Sequence, residues 1–119
     1  FLRFDAPLQL FERTALADTE IGSVTIKRDQ KIAALLGSAN RDEKVFTEAN
    51  AINLTRTPNN HIAFGGGIHF CLGAPLARLE MNHSLPALFE RFPAISIIKE
   101  PVQRQSFVLR GYHEITVSA

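Results

Sequence analysis

Residues 64–80 read FGGGIHFCLGAPLARLE and contain the only cysteine of the chain. Cys71 follows His69 by two positions and lies among the glycines at 65, 66, 67 and 73. Helical spacing begins just after it, and the unpaired amides and positive dipole at a helix start favour a negatively charged atom. Thiolate is the form of cysteine that binds metals and attacks electrophiles. The position therefore favours a chemical role for Cys71 over a packing role.

Several kinds of site are compatible with these residue types. A free cysteine is often a small buried hydrophobic residue, and the glycines would then mark a hairpin. A zinc site could use His61, His69, Cys71 and His83 as ligands. These residues do not show the paired spacings that structural zinc sites have. A catalytic cysteine–histidine pair needs an orienting group and an oxyanion site, and the sequence shows neither.

The glycines indicate what else could lie beside the thiol. No Gly-Lys-Ser/Thr sequence follows them and their spacing differs from the dinucleotide fingerprint, so a phosphate-binding loop is excluded. Glycine adds no side chain and lets the backbone approach a large flat group closely. Haem with a cysteine axial ligand is such a group, and a thiolate ligand favours cleavage of an O–O bond. Haem therefore stays open beside the buried-cysteine interpretation.

Length and composition limit the other function classes. The 119 residues suit one domain with a small core, and 45% hydrophobic and 21% charged residues are typical of globular proteins. A formal charge of +1 gives no strong field to attract nucleic acid or an anionic membrane surface. One cysteine forms no internal disulfide, and no apolar stretch reaches the length of a signal sequence or a membrane span. We expect a cytoplasmic setting.

Periodicity predicts one main helix over residues 72–92, with leucines and phenylalanines at helical spacing. Pro75 suits the first turn, where amides lack helical partners. Pro86 falls in the interior, where proline removes a hydrogen bond and clashes with the carbonyl four residues back, so we expect a kink or a break there. The polar stretch 42–49 is a second, shorter helix candidate.

Short β-prone runs account for much of the remaining chain. Residues 23–26 and 31–36 are predicted to pair as a hairpin joined by polar residues 27–30. Residues 1–4 have the pattern of a helix end that Pro7 stops. Further strands are predicted at 95–98, 106–110 and 114–117. The predicted fold class is α+β with one long helix.

The string Phe64-x-x-Gly67-x-His69-x-Cys71-x-Gly73 resembles the haem-binding loop of the cytochrome P450 family, the haem-thiolate monooxygenases, in its soluble bacterial form. Residues 2–7 are similar to the end of the ExxR helix of that family, 20–22 to its first small sheet, 39–42 to its Asn-Arg-Asp-Pro turn and 106–111 to its C-terminal hairpin. The resemblance implies that residues 1–119 are a C-terminal haem-binding fragment of the larger, mainly-α fold, with one long helix after the cysteine loop and small antiparallel sheets.

The resemblance assigns roles to individual residues. Cys71 corresponds to the axial thiolate ligand of haem b, and Phe64 to the aromatic residue that packs beside it. His69 and Arg13 correspond to partners of the haem propionates, which prefer charge-assisted donors. The remaining cofactor-binding residues that the resemblance implies are Gly65, Gly67 and Gly73.

Scaffold, substrate and partner residues are also implied by the resemblance. Arg3 matches the arginine of ExxR, whose glutamate would lie immediately before Phe1, so Arg3 is expected to lack its partner; Arg56 joins the same ion-paired cluster. Arg78 corresponds to a basic position on the face where an electron donor docks, although a solvated helix charge would look the same. The residues expected near a substrate pocket are Leu8, Leu10, Phe107 and Val108.

Two functions of different classes follow from these expectations. The first is the haem- and iron-binding portion of a monooxygenase that hydroxylates a small apolar molecule with electrons from a ferredoxin-like partner. The family's distal helix, which delivers protons, has no counterpart here, so no catalytic residue is assigned within the chain and we expect no hydroxylase activity from it alone. The alternative is a truncated remnant or excised domain without turnover, which self-associates and binds haem weakly or not at all. Neither function involves nucleic acid or a membrane.

Overall fold

Four pairs of short antiparallel strands and one long helix make up most of the regular structure in the computed structural model, which describes all 119 residues. Contacts between residues divide the chain into two compact units. The first unit consists of Phe1–Ala63 with Phe107–Leu109, and the second consists of Phe64–Ser106 with Arg110–Ala119. Small antiparallel sheets with one long helix were expected from the sequence, and this part of the fold prediction is confirmed.

The regular elements of the first unit are β1 (Leu10–Thr14), β2 (Thr19–Ile21), β3 (Val24–Ile26), β4 (Lys31–Leu35) and the short helix α1 (Leu36–Ala39). The strands predicted at 23–26 and 31–36 are present, but their predicted pairing is wrong. The observed partner of β3 is β2, and the observed partner of β4 is β1.

A two-residue turn explains the pairing of β3 with β2. Ile21 pairs directly with Val24, so that Gly22 and Ser23 form the turn, and Gly22 adopts the positive φ of +60° that such hairpin turns require. Residues 27–30 then carry the chain to the other ladder, where the Ala15 amide donates to the Gln30 carbonyl at 2.9 Å. The polar residues therefore connect two hairpins instead of closing one.

Arg3 organises the first unit around its guanidinium group. Its side chain is 4% exposed, and it donates to the backbone carbonyls of Asn40 at 2.8 Å, Ala49 at 2.9 Å and Ala51 at 3.2 Å. The guanidinium also lies 5.1 Å from the centre of the Phe46 ring. Residues 1–119 contain no counterpart of the ExxR glutamate that the resemblance pairs with Arg3, and backbone carbonyls satisfy the guanidinium group instead.

Burial also changes the pKa of the Arg3 guanidinium. Desolvation, together with the positive charges of Arg56 and Arg41, lowers the pKa of Arg3 from its ordinary value. Arginine is so basic that the group stays protonated near neutral pH. A permanently charged and almost fully buried donor therefore lies among backbone acceptors.

The helix candidate at 42–49 is wrong, because this stretch forms a series of turns. Asp42 accepts hydrogen bonds from the amides of Val45 and Phe46, but Glu48 adopts a φ of +50°, which no right-handed helix can include. The Ala49 carbonyl is taken by Arg3. The positive φ of Glu48 therefore ends the turn that begins at Asp42, and Ala49 is bonded to the buried Arg3.

The first residues form a single helical turn, in agreement with the predicted helix end. The Asp5 amide donates to the Phe1 carbonyl at 2.9 Å. Arg41 fastens this turn, since its Nε and Nη2 atoms donate to the Phe4 carbonyl at 2.9 and 2.6 Å and its guanidinium lies 3.9 Å from the centre of the Phe4 ring. The segment after α1 is therefore tied to the start of the chain.

The second unit contains the long helix α2 (Ala74–Arg91), which confirms the helix predicted over 72–92 with slightly shorter bounds. Pro75 lies in its first turn, as expected. The predicted break at Pro86 is wrong, because helical structure continues on both sides of it. Asn82, whose carbonyl loses its partner at Pro86, is exposed, so water can hydrogen bond to it.

Short strand pairs complete the second unit: β5 (Ser96–Ile97) pairs with β8 (Val117–Ser118), and β6 (Val102–Gln103) pairs with β7 (Tyr112–Glu114). The strands predicted at 95–98 and 114–117 are present in shortened or shifted form. The strand predicted at 106–110 is wrong except for an isolated bridge between Leu109 and Leu8, because this segment leaves the second unit and joins the first.

Replacement of Arg3 tests the role of this buried donor. Arg3→Ala is expected to lower the free energy of unfolding by about 3 kcal/mol, because hydrogen bonds from charged donors are worth about 1.5–3 kcal/mol. Arg3→Lys should recover only part of the loss, since an ammonium lacks the planar fork of donors. Urea unfolding of both variants provides the measurement.

Arg28→Ala is the matched control, because Arg28 lies on an exposed turn and pairs only weakly with Asp29 at 3.8 Å. Its free energy of unfolding should stay within about 0.5 kcal/mol of the parent chain. Equal stability of the Arg3→Ala variant and the parent would contradict the account.

Candidate functional site

The Cys71 loop, defined as residues 64–73, connects the start of the second unit to α2. It contains a 3₁₀ turn at Gly67–His69 and ends at Gly73, the residue that precedes the first turn of α2. The Cys71 amide donates to the Phe64 carbonyl at 2.8 Å, and the Cys71 carbonyl accepts from the Ala74 amide at 3.2 Å. The cysteine is thus fixed on one side to the loop entrance and on the other to the helix start.

The thiol of Cys71 is exposed, so the interpretation of this residue as a buried hydrophobe is wrong. Ile68 and Leu72 beside it are each 97% exposed. A Cβ atom added to Gly73 would meet only one neighbour within 4 Å, the Cys71 sulfur at 3.9 Å. The loop therefore presents sulfur and apolar side chains on open surface.

Gly66 and Gly67 both border open space, but their backbone conformations differ. Gly67 adopts a φ of +58°, so its backbone conformation itself requires glycine. Gly66 is extended, at a φ of −161°, and a Cβ atom added to either residue would meet nothing within 4 Å. This part of the loop can accept a flat group against the backbone. The soft sulfur donor and the bare backbone together fit a thiolate-ligated haem.

Phe64 links the loop to the helix through its ring as well as its carbonyl. The ring meets Phe70 edge-on, with centres 6.3 Å apart and planes at 64°. The guanidinium of Arg78, in the second turn of α2, lies 5.3 Å from the centre of the Phe64 ring. The aromatic residue predicted to pack beside the cysteine is therefore held between a second ring and a cation.

The two residues assigned to haem propionates lie in different units of the structure. His69 ends the 3₁₀ turn of the Cys71 loop and is exposed. Arg13 lies in β1 and is half-buried; its Nη1 atom donates to the Glu12 carbonyl at 2.8 Å, and its guanidinium lies 4.9 Å from the Phe11 ring centre. Their predicted shared role stays a prediction.

The zinc alternative has no ligand set in the structure. No group of three or more histidine, cysteine, aspartate or glutamate side chains is placed so that it could hold a metal ion. His83 lies on α2, twelve positions beyond Cys71, and His61 belongs to the first unit. A single protein sulfur is the only soft donor that the loop provides.

The residues predicted near a substrate pocket come from two segments that the first unit brings together. Leu8 forms an isolated bridge with Leu109, and the Gln9 amide donates to the Val108 carbonyl at 2.9 Å. The hydrophobic residues placed on these two adjoining segments are Leu8, Leu10, Phe107 and Val108. Phe107 is 73% exposed. The juxtaposition agrees with their assignment to one region, while a role in substrate binding stays a prediction.

A cavity of about 260 Å³ in the first unit is lined by both arginines that the resemblance places in one ion-paired cluster. Arg56 donates from Nη1 and Nη2 to the carbonyls of Thr47 and Glu48, but its buried Nε atom has no hydrogen-bond partner. No carboxylate is among the lining residues, which are Phe1, Arg3, Phe4, Ile52, Asn53, Leu54, Arg56 and Asn59. The cavity therefore has the electrostatics of an anion site.

Sequence reasoning missed two contacts that organise these sites. It gave no role to the side chain of Asn40, which is fully buried and accepts a hydrogen bond from the Ile62 amide at 2.8 Å through Oδ1. It also missed the approach of Arg78 to Phe64. Neither contact gives a periodic signal in the sequence. Asn40 is a single buried polar residue, and Arg78 is fourteen positions from Phe64.

Comparison with known proteins gives consistent matches over nearly the whole chain. The cytochrome P450 family model matches residues 1–110. The steroid C26-monooxygenase of Rhodococcus jostii is 44% identical over 117 residues, which cover 98% of this chain and 25% of that protein. The 6-deoxyerythronolide B hydroxylase of Saccharopolyspora erythraea is 42% identical over 119 residues, covering 98% of this chain and 30% of that protein.

Solved structures agree with the sequence matches. The structure of the bacillaene polyketide synthase cytochrome P450 PksS from Bacillus subtilis superposes with a TM-score of 0.91 at 42% identity, covering 98% of this chain and 31% of that one. The chain thus spans about a quarter to a third of the length of these relatives. No helix in the structure combines the length and the apolar composition that crossing a membrane requires.

The two glycines of the Cys71 loop should respond differently to the same added methyl group. Gly67→Ala is expected to lower the free energy of unfolding by about 1 kcal/mol, because an L side chain is disfavoured in the left-handed region. Gly66→Ala should change it by less than about 0.5 kcal/mol, since its backbone is extended and its surroundings are open. Urea titration of both variants, followed by far-UV circular dichroism, measures the difference. Equal losses would contradict the left-handed backbone conformation of Gly67.

Proposed function

The chain belongs to the cytochrome P450 family, and we propose that it is the C-terminal, haem-ligating part of a monooxygenase that hydroxylates a small apolar molecule. The observation that carries the proposal is the exposed thiol of Cys71 at the entrance to α2, beside glycines that leave the backbone bare. A buried or internally paired thiol would not be available to iron.

Haem bound through a thiolate would supply the activation of molecular oxygen, which side chains alone do not provide. The contribution of this chain is to hold and orient that group. Cys71 offers the sulfur, and its own amide is already bonded to Phe64, which fixes the direction of the side chain. His69 and Arg13 would donate charge-assisted hydrogen bonds to carboxylate groups of the cofactor.

The paired segments that carry Leu8 and Val108 would supply apolar surface to the substrate. Their side chains bring no charge, so a small apolar molecule is the class that they would accept. The names of two relatives, a steroid monooxygenase and a 6-deoxyerythronolide B hydroxylase, refer to organic molecules of moderate size. A ferredoxin-like protein is the proposed electron donor and the cytoplasm the proposed compartment, which suits a chain with one unpaired cysteine.

The cavity beside Arg3 supports the assignment of the chain as a fragment of a larger fold. It holds two guanidinium groups, an unsatisfied Nε atom of Arg56 and no carboxylate. The ExxR motif of the family provides a glutamate three residues before its arginine. A carboxylate at that place would complete the hydrogen bonding of Arg56 and reduce the repulsion between the two cations.

Absorption spectroscopy tests thiolate ligation directly. After addition of haem, reduction and exposure to carbon monoxide, the chain should show a strongly red-shifted Soret band, because an anionic sulfur donates electron density to iron. Cys71→Ser should abolish the shifted band. Asn82→Ser, a substitution at an exposed position of α2, is the control and should retain it. A chain without the shifted band under these conditions contradicts the proposed function.

A second candidate function, self-association without turnover, is favoured by the exposure of α2. Ala74 is the only buried residue of this helix. The large apolar side chains of α2 that are exposed are Leu76, Leu79, Leu85, Leu88 and Phe89. Large apolar side chains exposed in this number on one helix usually lie against another protein. A second copy of the chain is the partner that every preparation contains.

Light scattering at micromolar concentration should therefore give a mass greater than that of one chain. Leu79→Glu should shift the mass towards the monomer, because a charge in place of an exposed leucine is costly to bury in a contact between chains. Arg28→Glu places the same charge on an exposed turn outside α2 and should leave the association intact. A monomeric mass for the parent chain would remove this second candidate.

A further inference from the structure

We propose that Arg78 is a positioning residue for the Cys71 loop: its guanidinium holds the Phe64 ring, and Phe64 in turn fixes the backbone at Cys71. The contact concerns side chains within the second unit and exists without haem. Only its effect on the electronic properties of a bound haem rests on the proposed function.

The geometry of the contact is that of a cation over an aromatic ring. The central carbon of the guanidinium lies 5.3 Å from the centre of the Phe64 ring, within the range of about 6 Å over which a ring quadrupole attracts a cation. Phe70 meets the same ring edge-on at 6.3 Å. Phe64 is half-buried, and the contacts with Arg78 and Phe70 both help to restrict its ring.

The position of Phe64 is passed on to the cysteine through the backbone. The Phe64 carbonyl accepts the hydrogen bond from the Cys71 amide at 2.8 Å. Gly65, which follows Phe64, is buried and adopts a φ of +74°, so the chain turns sharply after the ring. A displacement of Phe64 would therefore move or break the hydrogen bond that orients Cys71.

No carboxylate competes with the Phe64 ring for the Arg78 guanidinium. It forms no ion pair, although its side chain is exposed and lies on a helix that also carries Glu80. Its ordinary alternative, a solvated helix charge, leaves the approach to Phe64 unexplained. The side chain instead bridges the second turn of α2 to the loop that precedes the helix.

Hydrogen exchange of the Cys71 amide in the chain without haem provides the first test. Arg78→Ala and Arg78→Met should each accelerate it about two- to fivefold, the factor that corresponds to an exposed cation–π contact. Arg78→Lys keeps a cation that can lie over the ring and should restore slow exchange. The rescue separates the effect of the charge from that of the apolar stem, which methionine retains.

Arg91 offers a matched control at the other end of the same helix. Its guanidinium lies 5.9 Å from the Phe92 ring, so Arg91→Ala removes a similar contact far along α2 from the loop. Exchange of the Cys71 amide should not change in this variant. Unchanged exchange in both Arg78→Ala and Arg78→Met would overturn the proposal, and so would equal acceleration in Arg91→Ala.

The haem-loaded chain provides a second readout, which separates the two proposals. Removing a positive charge near the thiolate favours the oxidised state of the iron, so Arg78→Ala should shift the reduction potential to more negative values while Arg91→Ala leaves it in place. If no variant binds haem through sulfur, the proposed function fails, and the exchange experiment still decides the role of Arg78.

Discussion

The hydrogen bond from the Cys71 amide to the Phe64 carbonyl, at 2.8 Å, is the interaction on which the candidate site depends. It closes the residues between them into a loop whose two ends are fixed relative to each other. The closed loop sets the cysteine just ahead of α2. It also leaves the glycines on open surface. Without this closure, the sulfur, the bare backbone and the helix start would have no defined relationship.

The two units obtain their stability in different ways. In the first unit, a charged and almost fully buried arginine donates to three backbone carbonyls that are distant in sequence. In the second unit, hydrogen bonds are mostly local and the long helix keeps its large apolar side chains exposed. Exposed apolar surface of this extent is costly in water. The second unit therefore has the surface of a part that packs against further protein.

The sequence was sufficient for the features that local chemistry dictates. The main helix, the first-turn proline and the position of the cysteine ahead of the helix follow from periodicity and from the residue types around Cys71. Strand partners did not follow, because pairing between β3 and β2 depends on the turn conformation of Gly22. The helix candidate at 42–49 failed because Glu48 adopts a positive φ of +50° and the Ala49 carbonyl accepts a hydrogen bond from the distant Arg3. Long-range polar contacts of this kind leave no local pattern.

The central claim is that the Cys71 sulfur binds the iron of haem. X-ray absorption at the iron edge of the haem-loaded chain tests it most directly, because sulfur scatters more strongly and at longer distance than nitrogen or oxygen ligands do. The account predicts one sulfur neighbour of iron in the parent chain and none in the Cys71→Ser variant. A first shell made only of nitrogen and oxygen atoms in the parent chain would contradict it.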